Sequence, residues 1–129
     1  MSSVFSKIIK GEIPCYKVAE NDQFLAFLDS MPLKKGHVLV IPKVEVDFIF
    51  DIDDERLGEM MIFSKIVAHK MKRVLPCKKI GVTVIGLEVP HAHIHLIPID
   101  TVTDMDFSKQ KLTISAEEQT VLAKQLFEA

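Results

Sequence analysis

The feature that most constrains this chain is the run Val89-Pro90-His91-Ala92-His93-Ile94-His95-Leu96-Ile97-Pro98. Histidine recurs at every second position, and apolar residues fill the gaps. A period of two belongs to an extended strand, whose successive side chains point to opposite faces. The spacing predicts a strand over 90–97 with His91, His93 and His95 on one face. Ala92, Ile94 and Leu96 then turn into a core. A strand with a merely polar outer face satisfies the same pattern. Histidine is an uncommon choice for solubility alone, however, and the chain spends three of its five histidines here. The pattern points to a functional face.

The rest of the chain sets a frame around that strand. Its 129 residues suffice for one domain, 1–129, with a sizeable core, and are too few for two. Hydrophobic residues (48%) and charged residues (26%) stand in ordinary globular proportions. A net charge of −2 argues against nucleic acid as the main partner. Cys15 and Cys77 lie far apart and form no Cys-x-x-Cys pair, as expected of reduced thiols. Lys7, Lys10 and Glu12 stand where a signal peptide needs an apolar run, and no apolar stretch approaches the ~18 residues that span a bilayer. These features predict a cytoplasmic protein with no membrane contact.

Taken in order, the chain opens with a short helix capped by Ser2 or Ser3, striped by Phe5, Ile8 and Ile9, and stopped by Gly11 and Pro14. Tyr16-Lys17-Val18 and Phe24-Leu25-Ala26-Phe27-Leu28 flank Asn21-Asp22 and predict a hairpin. The second of these strands is apolar on both faces and belongs inside a covered sheet. Asp29 ends it, and a carboxylate there is either a ligand or a turn former. Gly36-His37-Val38-Leu39-Val40-Ile41-Pro42 is a third strand. Leu57, Met60, Met61, Ser64, Val67, Ala68, Met71, Val74 and Leu75 mark an amphipathic helix over about 53–75, ended by Pro76. Its acidic first turn and basic last turn suit the helix dipole. His69 stands alone there and reads as a surface or satisfied histidine.

A fourth strand is predicted over 79–85. After Pro98 the chain is polar and irregular until Ser115-Ala116-Glu117-Glu118, a capping box that opens a last helix with Val121, Leu122, Leu126 and Phe127. The linkers are too short for repeated βαβ crossovers. The fold class is therefore α+β, a five-stranded antiparallel sheet with helices packed on it.

A row of histidines can serve a metal or a phosphate. Next-but-one residues on a strand stand roughly 6.8 Å apart, and the first and third about 13.5 Å. Zinc holds imidazole nitrogens about 2.0–2.1 Å away, so two neighbours can share an ion and three in a row cannot without a bend. A metal would need a further ligand such as His37 or Glu88. Phosphate chemistry needs none. Neutral imidazole is a good nucleophile near pH 7, and its ordinary pKa near 6.5 lets a neighbour donate a proton. A central histidine can attack phosphorus while its flankers hold its tautomer and the charged oxygens.

His91-Ala92-His93-Ile94-His95-Leu96-Ile97 resembles the His-x-His-x-His-x-x signature, with hydrophobic x, of the histidine triad (HIT) superfamily of nucleotidyl hydrolases and transferases. Phe5-Ser6-Lys7-Ile8-Ile9-Lys10-Gly11-Glu12-Ile13-Pro14 resembles the family's opening helix, and the chain as a whole resembles the bacterial HIT-like type. Phe24 through Asp29 and Gly36 through Lys43 resemble its two central strands. The likeness covers most of residues 4–98 in the family's order; residues 99–129 carry no pattern from it.

The resemblance implies a five-stranded antiparallel sheet, two helices, and usually a homodimer that joins two sheets into one. It also implies that His93 attacks the α-phosphate of a purine nucleotide derivative, such as an AMP phosphoramidate, an adenylate or a dinucleoside polyphosphate. A covalent nucleotidyl-histidine forms, and water releases the nucleoside monophosphate. His91 and His95 match the flanking positions, which position the nucleophile and the phosphate. His37 matches the supporting histidine of the neighbouring strand. Phe5, Ile8, Phe27 and Leu28 fall where the family lines a base pocket, and Asp29 where it binds ribose hydroxyls, for which a carboxylate is a suitable acceptor. Glu88 is either a substrate contact or a plain surface carboxylate.

Departures from the family pattern carry expectations of their own. Ser3-Val4-Phe5-Ser6 stands where bacterial-type members often have a Cys-x-x-Cys zinc pair, so no structural zinc and no cofactor are expected. The loop Val84-Ile85-Gly86-Leu87-Glu88 is short, Leu87 replaces a common Gln, and Ile99 replaces a common Arg. These changes bear on the leaving group. Two other classes stay open: a nucleotide-binding module without turnover, and a metal-dependent hydrolase built on the histidines.

Overall fold

Asn21 turns the chain. Its Oδ1 accepts the N–H groups of Gln23 (2.9 Å) and Phe24 (2.8 Å), so the flanking strands β1 (Lys17–Glu20) and β2 (Phe24–Leu28) pair antiparallel. The computed structural model describes residues 3–129, and Ser2 lies outside them. Ser3 caps α1 (Val4–Ile9), accepting the Ser6 N–H. Then come β3 (Val38–Pro42), α2 (Asp54–Val74), β4 (Lys79–Thr83), β5 (Ile94–Ile99) and α3 (Ala116–Glu128). The strands form one antiparallel sheet in the order β1-β2-β3-β5-β4. With α1, α2 and α3 the chain has three α-helices where the resemblance implied two.

Alternation along the strands sorts the side chains onto two faces. Ala26, Val38, Val40, Ile94 and Leu96 face Met60, Phe63, Val67 and Met71 of α2, with Leu122, Ala123 and Leu126 of α3 beside them. Fully burying one such side chain contributes about 1.5–3 kcal/mol, so this face carries most of the stability. Phe63 belongs to this stripe, whereas Met61, expected in it, is exposed. The other face is smaller: Phe5, Leu25, Phe27, Leu39 and Ile41, with Ile8, Ile9, Cys15 and Val89 at its margin.

Three strand boundaries differ from expectation. β1 begins at Lys17 and reaches Glu20, beyond the expected Tyr16–Val18 core. β4 stops at Thr83, the last residue paired with β5 (Thr83 to His95), and the chain leaves the sheet before Gly86, whose φ is +71°. The predicted strand over 90–97 instead runs Ile94–Ile99. Before Ile94 the backbone is bonded elsewhere: His91 N–H to Val89 O (2.8 Å) and Ala92 N–H to Val46 O (2.6 Å). His91 and His93 thus precede the strand, yet the alternation persists through them, since Ala92 joins the helix-side core with Ile94 and Leu96. The tail after Pro98 is less irregular than expected, with a 3₁₀ turn at Val102–Met105.

Candidate active site

His37 enters the site from a turn that needs glycine. Gly36 has φ +92°, and a Cβ there would collide with the Leu75 side chain. His37 O then accepts the Asp29 N–H (2.9 Å), which sets the Asp29 turn beside it. His37 Nδ1 accepts the Leu33 N–H (3.1 Å), so the proton of the neutral ring sits on Nε2. That Nε2 donates to His95 Nδ1 (2.9 Å). The neutral His95 ring consequently carries its proton on Nε2. One backbone amide thus fixes two tautomers in series.

His93 is fixed from the other side. Its Nδ1 donates to the carbonyl of His91 (2.7 Å). In the neutral ring Nε2 is then an unprotonated lone pair, and it has no hydrogen-bond partner among the described residues. The His93 and His95 rings lie 4.9 Å apart, and Phe5 packs edge-on against His93 at 5.0 Å. His91 is wholly buried with both nitrogens engaged: Nε2 donates to Pro42 O (2.8 Å), and Nδ1 lies 3.0 Å from the Ser3 hydroxyl.

All four histidines are buried, so the outer polar face considered from the sequence does not exist. Burial disfavours charged imidazole. It pushes His37 down to about 3, helped by the charges of His95, Lys111 and His93. Burial, with His93, pushes His95 down to about 4. His91 is lowered for the same reason, against the opposing Pro42 carbonyl. Asp29 moves the other way: burial raises it, partly offset by the Met31 N–H and by the charges of His93 and Lys111. Its Oδ1 accepts that N–H (2.9 Å), and its Oδ2 stands 3.7 Å from His37 Nε2. Asp29 is a turn former and a cavity-lining carboxylate together.

A cavity of about 740 Å³ opens on this face, within the range that holds small-molecule ligands. His93 and His95 line it, together with Phe5, Ile8, Phe27, Leu28, Asp29 and Glu88. Eight of the ten candidate residues therefore meet at one space. His91 and His37 stand behind it and reach it only through His93 and His95. Glu88 is an exposed residue of its wall. His69, on α2, is exposed and takes no part. Phe107 and Lys111 also line the cavity, and sequence reasoning missed them. They sit in a polar stretch with no periodicity, and only the fold brings them there.

Most donor atoms of the two groups of candidate metal ligands are committed to hydrogen bonds. Ligand atoms of Asp29, His37 and His95 lie within 4.8 Å of one another, but both His37 nitrogens and His95 Nδ1 are spent on hydrogen bonds. At the other group, the Ser3 hydroxyl bonds His91 and lies 3.3 Å from that of Ser6, while Ser3 N–H donates to Glu45 (2.7 Å). Two neutral hydroxyls in place of thiolates do not suit a structural zinc.

An antiparallel five-stranded sheet that presents a histidine cluster to a cavity is the framework of histidine triad proteins. The chain belongs to the HIT family: the family model described as the HIT domain matches residues 10–102. A HIT-like protein of Borreliella burgdorferi is 34% identical over 131 residues, covering 95% of this chain and 94% of that one. The adenosine 5'-monophosphoramidase of Schizosaccharomyces pombe is 37% identical over 103 residues, 76% of this chain and 74% of its own. Among solved structures, a HIT-like protein from Bartonella henselae superposes with a TM-score of 0.84 at 30% identity, covering 98% of this chain and 95% of that one. Among the described residues, no helix is long and apolar enough to cross a membrane.

Proposed function

We propose that this chain is a nucleotidyl hydrolase or transferase that cleaves the α-phosphate bond of a purine nucleotide derivative through a covalent nucleotidyl-histidine on His93. One observation carries the reading: His93 Nδ1 donates to the His91 carbonyl at 2.7 Å, which aims an unprotonated Nε2 at the cavity. A nucleophile needs that tautomer and no other. In the first step Nε2 bonds to the α-phosphorus, and the leaving group departs with the electron pair of its broken bond and takes a proton from solvent. The ring becomes cationic, and the His91 carbonyl on its Nδ1–H stabilises that charge. His95 Nε2–H donates to a phosphoryl oxygen. Water then attacks phosphorus and gives a proton to solvent, the phosphorus–nitrogen bond breaks with its electron pair returning to Nε2, and the nucleoside monophosphate leaves. Phe5, Ile8, Phe27 and Leu28 hold the base, Asp29 accepts from the ribose hydroxyls, and Glu88 stands at the leaving-group rim. The kinship with an adenosine 5'-monophosphoramidase supports an AMP derivative such as a phosphoramidate; an adenylate or a dinucleoside polyphosphate fits the same chemistry.

Two further parts of the reading concern context. β4 is an edge strand with Val82 exposed, and α2 exposes Met61, Ile62 and Ile66 next to it. That apolar stripe supports a homodimer formed across β4 and α2. Cys15 and Cys77 are free thiols, which suits the cytoplasm.

The test is turnover of a small panel of adenylate derivatives. Wild type should release AMP with and without EDTA. His93→Ala should lose about 10⁴-fold or more while keeping its melting temperature, as expected on removing a covalent nucleophile. Near-normal turnover by the folded variant would rule out the intermediate. Activity lost on chelation and restored by zinc would favour the metal alternative.

A further inference from the structure

The cavity's one lysine comes from outside the part of the chain that the HIT domain matches. That match ends at residue 102. The segment beyond it folds back over the turn that carries Asp29 and His37. Leu112 N–H donates to Pro32 O (2.8 Å), Lys34 pairs with Asp104 (3.4 Å), and the Gln119 amide donates to Asp29 O (3.1 Å). These ties pin the segment at three points. They bring the Phe107 ring edge-on to within 4.9 Å of the His95 ring and set Lys111 in the cavity wall.

Lys111 is held but not neutralised. Its Nζ donates to the carbonyls of Phe107 (2.6 Å) and Lys109 (3.2 Å) and lies 5.6 Å from the centre of the Phe107 ring. An ammonium has three N–H donors, so one is left. Among the described residues it forms no ion pair. The other side chains of the cavity wall with an ordinary ionised form at neutral pH are Asp29 and Glu88, both carboxylates. Burial keeps His95 uncharged. A nucleotide entering here brings negative charge to a wall whose lasting positive charge is Lys111, and a partly desolvated cation of this kind favours an anion. Lys111 acts on Asp29 and His37, which puts it on the Asp29 side of the cavity.

We infer that Lys111 binds an anionic group of the substrate other than the phosphoryl group attacked by His93, so that the preferred ligand is a nucleotide with a second phosphate. The inference rests on the nucleotide reading above. The second phosphate can lie beyond the α-phosphate or on the ribose, and the two sources separate by experiment.

Calorimetry with AMP, ADP and adenosine 3',5'-bisphosphate, on wild type, Lys111→Gln and Lys111→Arg, decides it. Wild type should bind at least one of the two doubly phosphorylated ligands about tenfold or more tighter than AMP, the worth of a charge-assisted hydrogen bond. Preference for ADP places the group beyond the α-phosphate; preference for the bisphosphate places it on the ribose. Lys111→Gln should bring the ratio to about one, and Lys111→Arg should restore most of it. A wild type that binds AMP as tightly as both others would overturn the inference. So would a Lys111→Gln protein that melts lower yet keeps the preference, because Lys111 would then only tie its own loop. AMP release from the whole panel of adenylate derivatives, measured on the same preparations, keeps the two readings apart. Its absence, with the phosphate preference intact, sinks the hydrolase and leaves the anion subsite standing.

Discussion

The two faces of the sheet bury side chains from the same strands to different ends. On one face α2 and α3 lie against Ala26, Val38, Val40 and Leu96, and apolar contact closes the core. On the other, only the six-residue α1 and the loops cover the strands, and a cavity of about 740 Å³ remains. There His37, His93 and His95 are each oriented by a named hydrogen bond. The contrast teaches where specificity resides. Volume holds the helix face, so its residues set stability. Hydrogen bonds hold the histidine face, so on the proposed reading its residues set chemistry.

The largest effect that would sharpen this contrast is on stability. Met71 is fully buried under the helix face. Met71→Ala should cost about 2–5 kcal/mol of unfolding free energy, the usual range for such a cavity, with turnover per folded molecule unchanged. Urea unfolding and active-site-normalised rates check both halves, and a rate falling in step with stability would break the division between faces.

A smaller effect belongs to Asp29, on the other face. Asp29→Ala should weaken AMP binding by about 1–3 kcal/mol, the worth of hydrogen bonds to a charged group. Binding of an analogue lacking both ribose hydroxyls should change far less. Equal losses for both ligands in calorimetry would make Asp29 a turn residue alone.

Smallest per pH unit for a single group is a pH dependence. His37 and His95 titrate at about 3 and about 4 in the folded chain, against an ordinary 6.5. Below pH 6.5 the unfolded chain takes up protons that the folded one refuses. Stability is therefore full above pH 6.5 and falls as the pH drops toward 4, by up to about 1.4 kcal/mol per pH unit for each group. Unfolding curves at pH 6.5, 5.5 and 4.5 measure the slope. His95→Gln should make it shallower by removing one of the two contributions, and an unaltered slope would show that buried imidazole does not set it.

Much of this was legible in the sequence, for reasons that particular residues make plain. The two-residue period of His91, His93 and His95 survives even where the strand does not, because Ala92 and Ile94 must still reach the helix-side core. The hairpin at Asn21 and the cap at Ser115 are local hydrogen bonds, readable from neighbours in the chain. What stayed hidden depends on contacts across the fold. The start of β5 is set by where Ala92 finds an acceptor, Val46, far away in sequence. Ser3 meets His91 across 88 positions, and Phe107 and Lys111 reach the cavity through ties to Pro32, Lys34 and Asp29. No period or turn signal encodes such meetings.

The central claim is that His93 Nε2 becomes bonded to phosphorus. Rapid acid-free quenching of wild type with excess adenylate substrate, followed by intact mass and peptide mapping, tests it directly. The account predicts one nucleotidyl group per chain on the peptide containing His93, appearing no later than the first AMP released and absent from His93→Ala. Full AMP release in a single turnover with no adduct at any time, or an adduct that maps to another residue, would contradict it.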